Sequence, residues 1–185
     1  MHRLHTAPAR TSAAGGGHRP APSSPAPERT TAAATPGLAA LLPASPAWTE
    51  AAAGLAARFA AAYATWSYHQ PPAAYLARLR PMTATPLYGT LAQAADTPGI
   101  LAWRDRGHLT AAGTVTGERI RDLTSTSVII TVQVRQVITT ASGRSEAPDD
   151  LAVTVVRAGG GQVVWDVEPA DAGNTGGSAA DALSP

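Results

Sequence analysis

Residues 127–139 read SVIITVQVRQVIT, and this stretch constrains the fold more than any other in the chain. Val128, Ile130, Val132, Val134 and Ile138 fall on one face of an extended backbone; Ile129, Thr131, Gln133, Arg135 and Thr139 fall on the other. Side chains alternate across a strand, so one face is apolar and the other polar, the pattern of a half-buried antiparallel strand. Such a strand needs neighbours beside it and a layer over its apolar face. The neighbours are predicted at about 109–117, at about 151–157 with Leu151, Val153 and Val155 inward, and at about 162–168. Gly159-Gly160-Gly161 makes a tight turn between the last two, and Ser142-Gly143 with Pro148-Asp149-Asp150 reads as a loop before them. With Trp165 inward, Asp166 and Glu168 point outward.

The covering layer is predicted upstream. Ser45 suits a helix cap and Pro46 the first helical position. Leu55, Phe59, Ala62, Tyr63 and Trp66 then recur at spacings of three and four, one buried stripe of a helix. Its last turn holds Tyr68 and His69, and Pro71-Pro72 stop it. A second helix spans about 72–80 with Leu76 and Leu79 inward, closed by Pro81. A third is capped by Thr85, places Leu87, Leu91 and Ala95 on one face, and ends near Asp96. Helices followed by strands indicate an α+β class: three N-terminal helices packed on a curved four-stranded antiparallel sheet.

The folded domain is expected over residues 46–170. The first 46 residues hold eight of the 16 prolines and the run Gly15-Gly16-Gly17. Such a segment buries too little apolar surface to offset its ordering entropy, so residues 1–45 are predicted to be a disordered linker-like tail. Residues 171–185, rich in Gly, Ala, Asp and Ser, are predicted to behave alike.

Charge and composition narrow the function. Residues 46–170 carry ten arginines and ten acids, which disfavours a nucleic-acid partner. The chain has no cysteine, which excludes disulfides, thiolate catalysis and zinc–thiolate sites. No apolar run approaches the ~18 residues that span a bilayer, and no secretory signal is legible.

The layout resembles the nuclear transport factor 2-like, or cystatin-like, cone fold. The segments that carry the resemblance are ARFAAAYATWSY at 57–68, YLARLRPM at 75–82 and VVWDVEP at 163–169. Within that fold the chain is most similar to actinobacterial envelope proteins related to conjugative-transfer and type IV secretion assembly domains. The resemblance implies a non-enzymatic assembly or scaffold module with protein partners, on the extracytoplasmic face of a membrane. It also implies an N-terminal membrane helix followed by a proline-rich linker; residues 1–47 look like that linker without the anchor. The outer sheet face, rich in Thr, suits either water or self-association.

The alternative is a small-molecule-binding or isomerase-like enzyme of the same fold. Cone-fold enzymes shield a titratable group in the concave pocket. The second and third strands offer none on their inner faces; the inner polar candidates are Gln136, Tyr63, and Tyr75 or Tyr88. Asp149-Asp150 and Asp105 read as solvated turn residues, and His108 as a strand-edge histidine. Three of the five histidines lie in the tail, so no metal is expected. No catalytic, cofactor-binding or metal-binding residue is assigned, and no cofactor is implied. If a ligand binds, the candidate lining is Tyr63, Trp66, Tyr68, Trp103 and Gln136. Otherwise the concave side is expected to be filled by Leu55, Phe59, Trp66, Leu76, Val132, Val134 and Trp165.

Overall fold

The alternating stretch forms the middle of the sheet in a computed structural model that describes residues 41–172. All but the innermost residues of the two expected tails lie outside the described residues. The element order is α1 (Pro46–Tyr63), β1 (Trp66–Ser67), α2 (Pro72–Leu79), a 3₁₀ turn (Arg80–Met82), α3 (Thr85–Ala95), α4 (Pro98–Arg106), β2 (Thr110–Leu123), β3 (Ser127–Thr140), β4 (Gly143–Ala158) and β5 (Gly161–Pro169). The strands form one antiparallel sheet in the order β1-β2-β3-β4-β5. Helices packed on one sheet give the expected α+β class, with one helix and one short strand more than expected.

α1 packs across β2, β3, β4 and β5. Ser45 Oγ accepts from the Trp48 N–H at 3.3 Å, and Pro46 follows as the first helical residue. Ala52, Ala56, Phe59 and Ala60 of α1 are buried against Val128, Ile130, Val132 and Val134 of β3 and Leu151, Val153 and Val155 of β4 in one core. Alanine at 52, 56 and 60 lets the helix approach the sheet closely, and Phe59 supplies the bulk. Burying a side chain of that size stabilises the fold by about 1.5–3 kcal/mol.

α1 ends at Tyr63, short of the turn expected to hold Tyr68 and His69. The prolines at 71 and 72 therefore do not stop it. Thr65 turns its hydroxyl back to the Ala61 carbonyl at 2.7 Å and accepts from the Gly113 N–H at 3.0 Å. Trp66 and Ser67 then pair with Ala111 and Thr110. Thr-Trp-Ser-Tyr has strand preference, and the exposed edge of β2 offers it a ladder. Trp66 is therefore a half-buried strand residue, not the last member of a helical stripe.

Three further expectations change. β4 begins at Gly143, so Pro148, Asp149 and Asp150 lie in a strand. β5 pairs with β4 from Leu151 onward and Ala170 donates to the Asp150 carbonyl, so, among the described residues, 143–149 have no strand on that side and proline's missing donor costs no ladder bond there. α4 was not expected; it buries no residue, and Thr97-Pro98 at its start and Arg104, Arg106 and Gly107 at its end are its only sequence marks. Trp165 points away from the core and is 51 % exposed. The ladder runs Thr154↔Asp166 and then Val155↔Val164, leaving Trp165 as the extra residue of a bulge. The bulge lets both Val164 and Val167 face inward.

Gly113 is where α1 and β2 meet most closely. A Cβ there would collide with the Ala64 side chain, with Ala64 backbone atoms at 3.3 Å. Beyond Ala111, β2 has no strand on its outer side among the described residues, and this edge carries Glu118, Arg119, Arg121 and Asp122 with two register shifts. Charge and irregularity of this kind discourage pairing with another chain.

Candidate functional site

α1 ends without glycine, so its last carbonyls need partners from elsewhere. Ala64 and Thr65 supply those of Ala60, Ala61 and Ala62, and three side chains supply the next three carbonyls, of Tyr63, Ala64 and Thr65. Tyr75 Oη donates to the Tyr63 carbonyl at 3.0 Å, Gln136 Nε2 donates to the Ala64 carbonyl at 2.9 Å, and Arg78 Nη2 donates to the Thr65 carbonyl at 2.6 Å. These bonds tie the helix end to α2 and to β3.

Beside this junction the concave face opens into a cavity of about 620 Å³. Tyr63, Trp66, Tyr75, Gln136, Ile138 and Asp149 line it from α1, β1, α2, β3 and β4, while Thr97, Ile100, Trp103, Arg104 and Arg106 line it from around α4. Four of the five expected lining residues are brought together here: Tyr63, Trp66, Trp103 and Gln136. Tyr68 is not. It lies in a separate shallow depression with His69 and Pro71, its ring 3.7 Å from that of His69 and stacked 5.0 Å from that of His108.

The concave side is thus filled at one end only. Leu55, Phe59, Leu76, Val132 and Val134 are buried as expected, whereas Trp66 borders the cavity and Trp165 lies outside the core. The expectation that the inner face of the third strand carries no titratable group also fails. Asp149 pairs with Val134, whose side chain is inward, and lines the cavity. Its place follows from the same alternation that puts Leu151, Val153 and Val155 inward. Pro148 and the Asp-Asp pair masked that alternation with turn chemistry.

The electrostatics of the cavity are unusual for so apolar a wall. Burial pushes the Asp149 pKa up, helped by the charges of Asp150 and Asp171. Burial raises the Tyr63 hydroxyl to about 12, with a smaller contribution from Asp149. Burial also lowers the pKa of Arg104. The Arg104 guanidinium carbon lies 4.0 Å from the Trp66 ring centroid, a cation–π contact, and Trp103 tilts against Trp66 at 6.5 Å. Tyr63 Oη and Arg104 Nε are buried without a hydrogen-bond partner. Among the described residues, no group of three His, Asp or Glu side chains could hold a metal ion. No helix among them is long and apolar enough to cross a membrane.

On the opposite sheet face, Arg119, Thr131, Ala152 and Glu168 form one row across β2 to β5. Thr131 and Ala152, at its centre, are buried, while Gln133 and Arg135 are exposed. The expected Thr-rich solvated face is therefore partly closed by its own neighbours.

No protein-family model matches the chain, and no curated protein matches it. Solved structures do. An IcmL-like type IV secretion system protein from Legionella pneumophila superposes with a TM-score of 0.51 at 11 % identity, over 63 % of this chain and 87 % of that one. The periplasmic domain of DotI gives 0.52 at 15 % identity, over 65 % and 95 %. CagV, a VirB8 homologue of the type IV secretion system of Helicobacter pylori, gives 0.50 at 12 % identity, over 64 % and 95 %. Likeness at such low identity is likeness of fold. What the chain shares with these proteins is the fold, helices on one face of an open antiparallel sheet.

Proposed function

We propose that this protein is a non-enzymatic, envelope-associated assembly component of a conjugation or type IV secretion apparatus, of the actinobacterial type its sequence resembles. The observation that carries the reading is the superposition on most of the length of two type IV secretion proteins, the IcmL-like protein and CagV, and of the periplasmic domain of DotI. The protein would work on the extracytoplasmic side of a membrane through protein contacts, including contacts with its own copies through the sheet. The fold alone does not dictate this role, because one fold hosts many functions.

The test is genetic. Deleting the gene from its host should abolish plasmid transfer or protein secretion, and the wild-type gene should restore it. Unchanged transfer in the deletion strain overturns the proposal. Asp149 is the observation on the side of an isomerase-like enzyme, being a shielded acid in a cavity. Complementation by Asp149→Asn as full as by wild type supports the assembly role; a stable variant that fails to complement favours turnover at that carboxyl.

A further inference from the structure

The cavity at the end of α1 combines an aromatic and aliphatic wall with polar atoms that the fold leaves unused. The hydroxyl of Tyr63, on a residue only 7 % exposed, has no partner, although every neighbouring carbonyl at the helix end has one. Buried polar groups are ordinarily satisfied, so an orphaned hydroxyl beside a cavity marks a position for a ligand acceptor. Arg104 adds a second unused buried donor at Nε, while its guanidinium lies over the Trp66 ring.

We propose that this cavity is a binding site for a small organic acid: a carboxylate head on a compact apolar or aromatic body. The head takes the Tyr63 hydroxyl and the Arg104 guanidinium as donors. The body packs among Trp66, Ile100, Trp103 and Ile138.

The charge of the lining selects the sign of the head. Arg104 and Arg106 line the cavity against one acid, Asp149. Burial raises the pKa of that carboxyl, and it is the single acid among the lining residues. The start of α4, at Thr97 and Gly99, also borders the cavity, and a helix start favours negative charge. A cationic ligand would meet two arginines and one carboxylate. The volume, about 620 Å³, falls within the range of small-molecule sites. Trp103, at 44 % exposure, stands among the lining residues as an apolar surface that a ligand body would cover.

The inference does not rest on the assembly reading, and each fails in its own assay. Full-length protein is titrated with indole-3-carboxylate and octanoate, with indole-3-carboxamide and octylamine as neutral and cationic counterparts. Binding is followed by calorimetry and by the fluorescence of the cavity tryptophans. A carboxylate should bind at least tenfold more tightly than its counterparts; preference for the indole or the octyl body then separates an aromatic from an aliphatic acid. Arg104→Gln should weaken carboxylate binding at least tenfold. Tyr63→Phe should weaken it severalfold with the melting temperature nearly unchanged, because that hydroxyl holds no bond in the protein. Equal binding of carboxylate and carboxamide, undiminished binding in both variants, or no binding of either acid at millimolar concentration overturns the proposal.

Discussion

The Tyr75 hydroxyl donates to the main-chain carbonyl of Tyr63 at 3.0 Å, twelve residues away, and so closes the end of α1 with a side chain from α2. Two tyrosines meet there in different capacities. Tyr75 uses its hydroxyl for the fold, whereas Tyr63 contributes its carbonyl and leaves its hydroxyl free. Tyr75→Phe strands a buried carbonyl and should cost about 1–3 kcal/mol in urea unfolding. Tyr63→Phe removes no hydrogen bond and should be nearly neutral. Equal losses in the two variants would contradict the arrangement.

Asp149 makes stability fall with rising pH. Its folded pKa is raised, chiefly by burial, so the folded state holds this proton more tightly than the unfolded state. The stabilisation it gives is fully present below the unfolded value, near 3.8, and is lost as pH rises through the higher folded value. Asp149→Asn should therefore raise the melting temperature at pH 7 and leave it little changed at pH 3. Thermal melts across that range check the sign; a variant less stable at pH 7 reverses it.

The two hydroxyls provide an alkaline counterpart. Burial raises both Tyr63, to about 12, and Tyr75, further still. The folded protein should keep both protonated as pH passes 10, and stability should decline from there upward as the unfolded state ionises them. Absorbance at 295 nm should show two tyrosines ionising only with unfolding. Their titration in the folded state near pH 10 would contradict their burial.

The bulge in β5 is testable through its aromatic residue. Trp165→Ala should cost less than about 1 kcal/mol, as for an exposed side chain. Phe59→Ala, in the core, should cost about 3–5 kcal/mol. Comparable losses would place Trp165 inside.

Gly113→Ala should destabilise the protein by about 1–3 kcal/mol, because its methyl group overlaps the Ala64 side chain. Ala64→Gly in the same chain should recover part of the loss. Calorimetric melts of the single and double variants measure the coupling.

Residues differ in how openly they declare their place. Val128 to Val134 alternate without interruption, and all the expected inward members are buried. Strand periodicity is local, so sequence alone exposes it. Trp165 breaks the alternation of β5 by one residue, and that slip is set by pairing with β4 rather than by its neighbours in sequence. Thr65 to Tyr68 extend a helical stripe on paper, yet the open edge of β2 takes Trp66 and Ser67 into the sheet. Gln136 was legible as an inward polar residue, but its bond to Ala64 depends on a residue 72 positions away. For the candidate site, Asp149 and α4 are the parts that local sequence pattern hides. Pro148-Asp149-Asp150 carries turn chemistry that an unpaired strand edge tolerates, and α4 has no buried stripe to reveal it.

The carbonyls of Tyr63, at the end of α1, and of Ala64 and Thr65 just past it are held by Tyr75, Gln136 and Arg78, and two of these side chains also line the cavity. Whatever occupies the cavity is therefore mechanically coupled to the fraying of the helix. A guest that steadies Tyr75 and Gln136 should slow hydrogen exchange in the last turn of α1, and loosening that turn should weaken its binding. The helix end thereby connects the cavity wall to the layer that packs across four strands of the sheet.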